Sequence, residues 1–228
     1  CLRHYPGLPL VFSSSAAIFG NPQSALIDEQ HPCKPINPYG ASKLAAEHVL
    51  QDYWSHCGQS SVSFRYFNAA GADPEGDIGE AHEPETHLIP KILDAALRLS
   101  GPISINGSDY PTPDGTCIRD YVHVNDICRA HLLGLNHLMR TPGAHAFNLG
   151  NGSGYSVRQV LAAAEQVVGA PIPHHVAERR PGDPPVLVAD ATRAHAVLGW
   201  QPGIPTLQEM IETAWRWHRA HRGAAADH

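Results

Sequence analysis

Tyr39-Gly40-Ala41-Ser42-Lys43 sets a phenol and an ammonium four residues apart. On a helix, positions i and i+4 share a face. A free tyrosine titrates at about 10 and a free lysine at about 10.4. An ammonium held beside the phenol favours the phenolate, so Tyr39 can take a proton near neutral pH. Lys43 can meanwhile hold a ligand through its N–H donors. The spacing alone is common by chance and equally describes two amphipathic residues on a surface helix. A second polar group sharpens it. Ser13-Ser14-Ser15 closes an apolar run, and a hydroxyl both donates and accepts. Ser15 can therefore relay a proton between a ligand and Tyr39, although a row of serines is equally an ordinary polar strand end.

The elements that must position these groups follow from pattern. Leu8 to Phe12 reads as a buried strand ending at the serines, and the Pro- and Asn-rich stretch from Asn21 to Pro38 as a loop. Tyr39 to Trp54 carries Leu44, Ala45, Val49, Leu50 and Tyr53 on a helical spacing, with Pro38 where a helix can start. Ser61 to Phe67 alternates as a strand. Strand, helix, strand is a parallel crossover unit, half of a doubly wound sheet, and ligands bind such sheets at the carboxyl ends of the strands. Further on, helices are predicted over His87–Ser100, Val122–Met139, Val157–Val168, Asp190–Leu198 and Thr206–His221. Strands are predicted over Ile103–Ile105 and Ala144–Gly150, and a Pro-rich loop over Pro171–Pro185. The tail after Arg222 reads as frayed.

Bulk composition narrows the function classes. A net charge of −6 with no basic run argues against a nucleic-acid binder. No apolar stretch approaches a membrane span. Five cysteines with no CxxC give neither a disulfide framework nor a zinc ribbon, which suits a reducing cytoplasm. Sixteen histidines raise the question of metal, at His174-His175 and His218/His221. No Cys or carboxylate cluster completes a four-ligand set there, so no metal site is expected.

Six segments together carry a family resemblance. They are Phe12-Ser13-Ser14-Ser15-Ala16 with Gly20, Pro38 to Lys43, Arg65 to Ala72, Gly115 to Val124, Asn148 to Gly152, and Arg179 to Pro185. In this order they resemble the extended short-chain dehydrogenase/reductase family, and within it the UDP-glucose 4-epimerases, over nearly the whole chain. Ala16-Ala17 stand where the family's dehydratases usually carry an acidic pair, which disfavours dehydration. The resemblance implies an α/β fold: part of a doubly wound, Rossmann-like parallel sheet plus a smaller α/β substrate-binding lobe. It puts residues 1–68 in the carboxyl part of the NAD-binding domain, with a return strand and helix near 144–168. Residues 69–143 and 169–228 fall to the nucleotide-sugar lobe.

The roles implied are specific. Tyr39 is the base, Lys43 its electrostatic partner and ribose anchor, and Ser15 the proton relay. Ser13 and Tyr66 lie along the nicotinamide end of NAD. Asn68 and Arg119 meet the sugar diphosphate, while Arg180 and Asp183 hold the second phosphate and the uridine ribose. His87 stands where several relatives carry Asn and can still donate one hydrogen bond to a phosphate. Leu187 reaches the position lining the hexose pocket. Some family members have a Tyr there that crowds the C2 substituent, so Leu187 would admit N-acetylated sugars, unless it packs in the Val186–Val188 strand and faces away. The implied activity is NAD-dependent interconversion of UDP-glucose and UDP-galactose through a 4-keto intermediate. A cytoplasmic homodimer is the implied assembly, with no nucleic-acid or membrane partner.

One expected feature is not in the sequence. Dinucleotide sites use a Gly-rich turn after the first strand, and none precedes Ser13. The only glycine cluster, Gly150-Asn151-Gly152-Ser153-Gly154, has the spacing G-x-G-x-G and reads as a structural turn before a Ser156 helix cap. With Cys1 in place of an initiator Met, the chain reads as the later part of an enzyme. The Leu8–Phe12 strand is then expected to be an open apolar edge, and the chain alone is expected to be inactive. Two competing readings stay open: a non-catalytic remnant that only binds a UDP-sugar or a partner, and a 4-epimerase acting on UDP-pentoses or UDP-N-acetylhexosamines.

Overall fold

A computed structural model describes residues 7–222; the frayed tail expected beyond Arg222 lies outside the described residues. In chain order the first elements are β1 (Leu10–Ser15), a 3-10 turn (Ala16–Phe19), α1 (Pro38–Cys57), β2 (Ser61–Tyr66) and β3 (Asn68–Ala70). Next come α2 (Leu88–Ala96), β4 (Ile103–Asn106), β5 (Ile118–His123), α3 (Val124–Arg140) and β6 (Ala144–Leu149). The chain continues through β7 (Gly154–Ser156), α4 (Val157–Val168), β8 (His174–Ala177), β9 (Val186–Leu187), α5 (Thr192–Leu198) and α6 (Leu207–His221).

The main sheet is wholly parallel, in the order β1-β2-β6. Alternation along β2 explains its two faces. Val62 and Phe64 join Phe147 and Leu149 of β6 in a core with Ile127, Ala130 and Leu138 of α3 and Ala194 and Leu198 of α5. Arg65, one step out of phase, turns to the opposite face and meets Glu47 of α1. Helices thus cover both faces, as a doubly wound sheet requires. Among the described residues β1 has a strand partner on one side only, and Leu10, Val11 and Phe12 are half-buried.

A second core gathers Ile89, Ile92 and Leu93 of α2, Val160 and Leu161 of α4, and Met210 and Ile211 of α6 against Ile103 and Ile105 of β4. Two capping boxes start its helices: Ser156 with Gln159 for α4, and Thr206 with Glu209 for α6. A third, smaller core of Ala16, Ile18, Phe19, Ile27, Phe67 and Ala189 sits under the 3-10 turn.

The structure departs from the sequence reading at several points. β1 runs later than Leu8–Phe12 and takes in all three serines. The helix expected from Val122 begins at Val124, because β5 occupies 118–123 between β3 and β7. The expected loop over 171–185 contains β8, a short parallel partner of β4. The helix near 157–168 packs with α2 and α6, and not on the β1-β2-β6 sheet. Conversely α3 and α5, expected in the second lobe, cover that sheet. Chain order does not report these pairings, which depend on which apolar stripe meets which face. No helix among the described residues is long and apolar enough to cross a membrane.

Candidate functional site

The approach of α1 to the end of β1 is set by small residues. Asn37 caps the helix, its Oδ1 accepting from the Gly40 N–H at 2.8 Å, and Pro38 occupies the first turn. A Cβ on Gly40 would collide with the carbonyl of Ala17 in the 3-10 turn. Glycine there lets the first turn of α1 lie against Ala16–Phe19, which brings Tyr39 to the cavity that Ser15 lines. The Ser15 Oγ accepts from Ala17 N at 3.1 Å and caps that turn. Its own O–H is left to donate outward.

Further along α1, Lys43 Nζ donates to the carbonyl of Ser13 at 3.0 Å and sits 5.5 Å from the Tyr39 ring centroid. One more turn on, Glu47 locks the helix down. Its carboxylate takes Arg65 Nη2 at 2.7 Å, Arg65 Nε at 3.1 and 3.2 Å, and the Ser14 hydroxyl at 2.5 Å. Both charged side chains are about nine-tenths buried. Tyr39, Lys43 and Glu47 form one i, i+4, i+8 stripe facing the sheet. Glu47 was not singled out from sequence, although its spacing from Lys43 placed it on that stripe.

A second polar row runs across the strand ends. The Tyr66 hydroxyl lies 2.8 Å from Ser13 Oγ and 2.7 Å from His131 Nε2. His131 Nδ1 faces the Ile127 carbonyl at 2.9 Å. That carbonyl only accepts, so Nδ1 carries the proton and Nε2 accepts from Tyr66. Ser13 Oγ is the second partner of the phenol hydroxyl. Burial pushes the Tyr66 pKa up, against the pull of the Ser13 hydrogen bond. Nothing in the sequence pointed to His131.

Tyr66 borders a cavity of about 900 Å³. Ser15, Tyr39, Tyr66, Asn68 and His87 line it, and Trp217 of α6 closes it on the far side. Tyr39 is 57% exposed, open to a ligand entering this space. Asn68 holds its place by donating from Nδ2 to the Asp120 carbonyl at 2.8 Å, leaving Oδ1 to accept. His87 faces Glu80 at 2.5 Å and Glu85 at 3.2 Å. Ser13 and Lys43 do not line the cavity; Ser13 contacts Tyr66, and Lys43 sits by the Tyr39 ring.

Arg119, Asp183 and Leu187 assemble elsewhere, where β9 pairs with β5 in the register Arg119↔Leu187. Arg119 Nη2 meets Asp183 Oδ1 at 3.1 Å, and Nη1 donates to the carbonyls of Pro184 and Ile118. Arg180 is exposed and makes no side-chain hydrogen bond among the described residues. Leu187, expected at the hexose pocket, does not line the cavity. It packs against the core of Ala16, Ile18, Phe19, Ile27, Phe67 and Ala189.

The glycine cluster is accounted for from within. Asp120 Oδ1 accepts from Asn151 N at 2.8 Å, and Oδ2 accepts from Gly152 N at 3.0 Å and Ala189 N at 3.1 Å. Gly150 lies so close that a Cβ there would overlap this carboxylate. The turn's amides therefore serve an internal anion and are not free for a pyrophosphate. Burial pushes the Asp120 pKa up to about 6, with the three N–H donors pulling the other way.

Among the described residues the suspected histidine pairs form no metal set. His218 pairs with Asp94 at 3.2 Å, His221 stacks on Trp217, and His175 meets Ser104 at 3.1 Å. The cluster that does form, Glu80, His82, Glu85 and His87, was missed because its residues are spread along an irregular loop.

Comparisons with known proteins show the family. Residues 1–150 match the NAD dependent epimerase/dehydratase family. The UDP-glucose 4-epimerase of Halalkalibacterium halodurans is 49% identical over 212 residues, which is 93% of this chain and 64% of that protein. The NAD complex of UDP-glucose 4-epimerase from Brucella ovis superposes with a TM-score of 0.90 at 45% identity, covering 93% of this chain and 66% of that one. The Bifidobacterium longum UDP-glucose 4-epimerase, in complex with NAD+ and UDP, gives a TM-score of 0.92 at 36% identity over 97% of this chain and 67% of that one. The chain thus spans a little under two thirds of the curated relative's length. With the match reaching from the serine-ended strand through the Tyr39–Lys43 helix to the Gly150 turn, the chain belongs to the NAD-dependent epimerase/dehydratase family.

Proposed function

We propose that this chain carries the catalytic helix and the nucleotide-sugar side of an NAD-dependent UDP-glucose 4-epimerase. The observation that carries the reading is the single cavity lined by Ser15, Tyr39, Asn68 and His87, with Lys43 one helical turn from Tyr39. Tyr39 takes the proton of the sugar's 4-hydroxyl, directly or through Ser15, and later returns it. Lys43 stabilises the phenolate by charge. Asn68, His87, Arg119, Arg180 and Asp183 hold the UDP half, so that the sugar can turn over while its anchor stays fixed. Arg119 suits a diphosphate because its guanidinium is a fixed fork of donors. Its ion pair with Asp183 already fixes that fork's position.

The residues present fit the nicotinamide end of NAD. Lys43 uses one N–H on the Ser13 carbonyl and has two more to offer, and Ser13 and Tyr66 form a polar row at the strand ends. The Gly150–Gly154 turn does not fit the pyrophosphate, for its amides are taken by Asp120. When bound, NAD supplies the hydride acceptor that makes the 4-keto sugar and gives the hydride back. A cytoplasmic homodimer is part of the same reading.

The test is a chimera that joins this chain to the part of the Halalkalibacterium halodurans relative it does not span. It should convert UDP-galactose to UDP-glucose, and Tyr39→Phe should lower kcat by about 10²–10⁴-fold, the usual worth of a general base. A Tyr39→Phe chimera as active as its parent would overturn the assignment. UDP binding with no turnover in a folded, NAD-loaded chimera would favour the non-catalytic reading.

A further inference from the structure

Within the irregular loop before α2, four side chains converge. Glu80 Oε1 lies 2.8 Å from His82 Nδ1 and 2.5 Å from His87 Nδ1, and Glu85 Oε1 lies 3.2 Å from His87 Nδ1. One ligand-capable atom from each of the four lies within 4.8 Å of all the others. Among the described residues no Lys or Arg forms an ion pair with either carboxylate. Mutual hydrogen bonds between imidazoles and carboxylates explain part of this arrangement, but they leave one atom without a partner. The Glu85 side chain is 6% exposed. Its Oε1 accepts the N–H groups of Thr86 and His87 at 2.6 and 2.8 Å, while Oε2 of the same carboxylate is buried with no hydrogen-bond partner. Burying a carboxylate oxygen unpaired is costly, and such an atom calls for a missing donor or cation.

We propose that Glu80, His82, Glu85 and His87 bind a divalent transition-metal ion of the zinc class at the rim of the cavity. Two carboxylates neutralise the ion's charge, and two imidazoles supply the nitrogen ligands that select zinc-like ions over magnesium and calcium, which prefer oxygen alone. A tetrahedral set with metal–ligand bonds of about 2.0–2.2 Å holds its ligand atoms about 3.3–3.6 Å apart, so the pairs now at 2.5, 2.8 and 3.2 Å open slightly around the ion. His82 and His87 are more than half exposed, so their rings can turn to complete it. Glu80, His82 and His87 also line the cavity, so the ion sits at its wall. The proposal shares His87 with the epimerase reading, in which that ring meets the UDP half; metal binding is therefore measured directly on the chain, without turnover.

The experiment titrates Zn2+ into the chelator-treated chain against a chromophoric competitor, with Co2+ as a spectroscopic probe. One equivalent of Zn2+ should bind, and Co2+ should give the intense visible bands of a four-coordinate site. Glu80→Gln, His82→Ala and His87→Ala should each weaken binding at least as much as the roughly 10–100-fold typical of losing a group that merely orients a ligand. His174→Ala and His175→Ala should change nothing. His82 is 61% exposed, so its replacement leaves the fold intact, and a circular dichroism spectrum checks this. Absence of stoichiometric Zn2+, a six-coordinate Co2+ spectrum, or unchanged affinity in His82→Ala would overturn the proposal.

Discussion

Glu47→Ala tests what holds α1, the helix of Tyr39 and Lys43, to the sheet. In the parent, Glu47 accepts three guanidinium contacts from Arg65 and one hydroxyl from Ser14, all in a nearly dry interface. Alanine removes every one of them. Arg65 is left 8% exposed, with the Glu29 carbonyl at 3.2 Å as its remaining partner. A hydrogen bond to a charged group contributes about 1.5–3 kcal/mol, so the contacts sum to more than any measured pair, and relaxation limits the net loss. Breaking a buried pair from one side typically costs about 3–5 kcal/mol, because the stranded charge stays desolvated. That is the expected effect, read as a fall in the urea midpoint at constant m-value. The double variant Glu47→Leu/Arg65→Met should recover most of it, since no charge is left unpaired. A loss below about 1 kcal/mol for Glu47→Ala, or a double variant less stable than the single one, would show that this ion pair does not fix α1.

Two other changes follow from the same structure. Asp120 has a folded pKa of about 6 against an ordinary 3.8, so between these values the folded state holds a proton that the unfolded state has lost. Its contribution to stability is present at pH 4 and lost as pH rises through 6. The cost of Asp120→Asn, measured by denaturation, should therefore shrink between pH 4 and pH 7, by up to about 3 kcal/mol for a two-unit shift; a cost that grows over that range would contradict it. Leu187→Tyr should destabilise by about 1–3 kcal/mol through overpacking against Phe19 and Phe67. In the active chimera it should leave the preference between UDP-glucose and UDP-N-acetylglucosamine unchanged, and a selective loss of the N-acetylated substrate would restore the pocket-lining role.

The legible parts were those governed by local spacing. Tyr39 and Lys43 share a face because a helix repeats every 3.6 residues, and Ser156 caps α4 because its hydroxyl reaches Gln159 N at 3.1 Å. The parallel β1-α1-β2 unit followed from alternation flanking a helical stretch. Long-range satisfaction was not legible. Asp120 lies in β5, a strand hidden by a run of polar and aromatic residues, and its partners come from residues 151, 152 and 189. Leu187 illustrates the limit in one residue. Period-2 alternation says that it faces opposite to Val186 and Val188, but not which side holds the cavity.

The position of Asp120 also explains how the two halves of the candidate site keep their spacing. Its carbonyl receives Asn68 Nδ2, fixing a residue of the cavity wall. Its side chain gathers the turn after β6 and the chain at Ala189, just past β9. Its neighbour Arg119 grips Asp183 and Pro184 before β9. A single strand therefore ties the cavity wall at Asn68 to the Arg119–Asp183 pair. Under the proposed function a sugar rotates while its nucleotide is held, which requires that separation to be rigid; a buried carboxylate with three backbone donors supplies rigidity there. The glycine cluster, read from sequence as a structural turn, serves this purpose: Gly150 carries no Cβ because the Asp120 carboxylate lies where one would be.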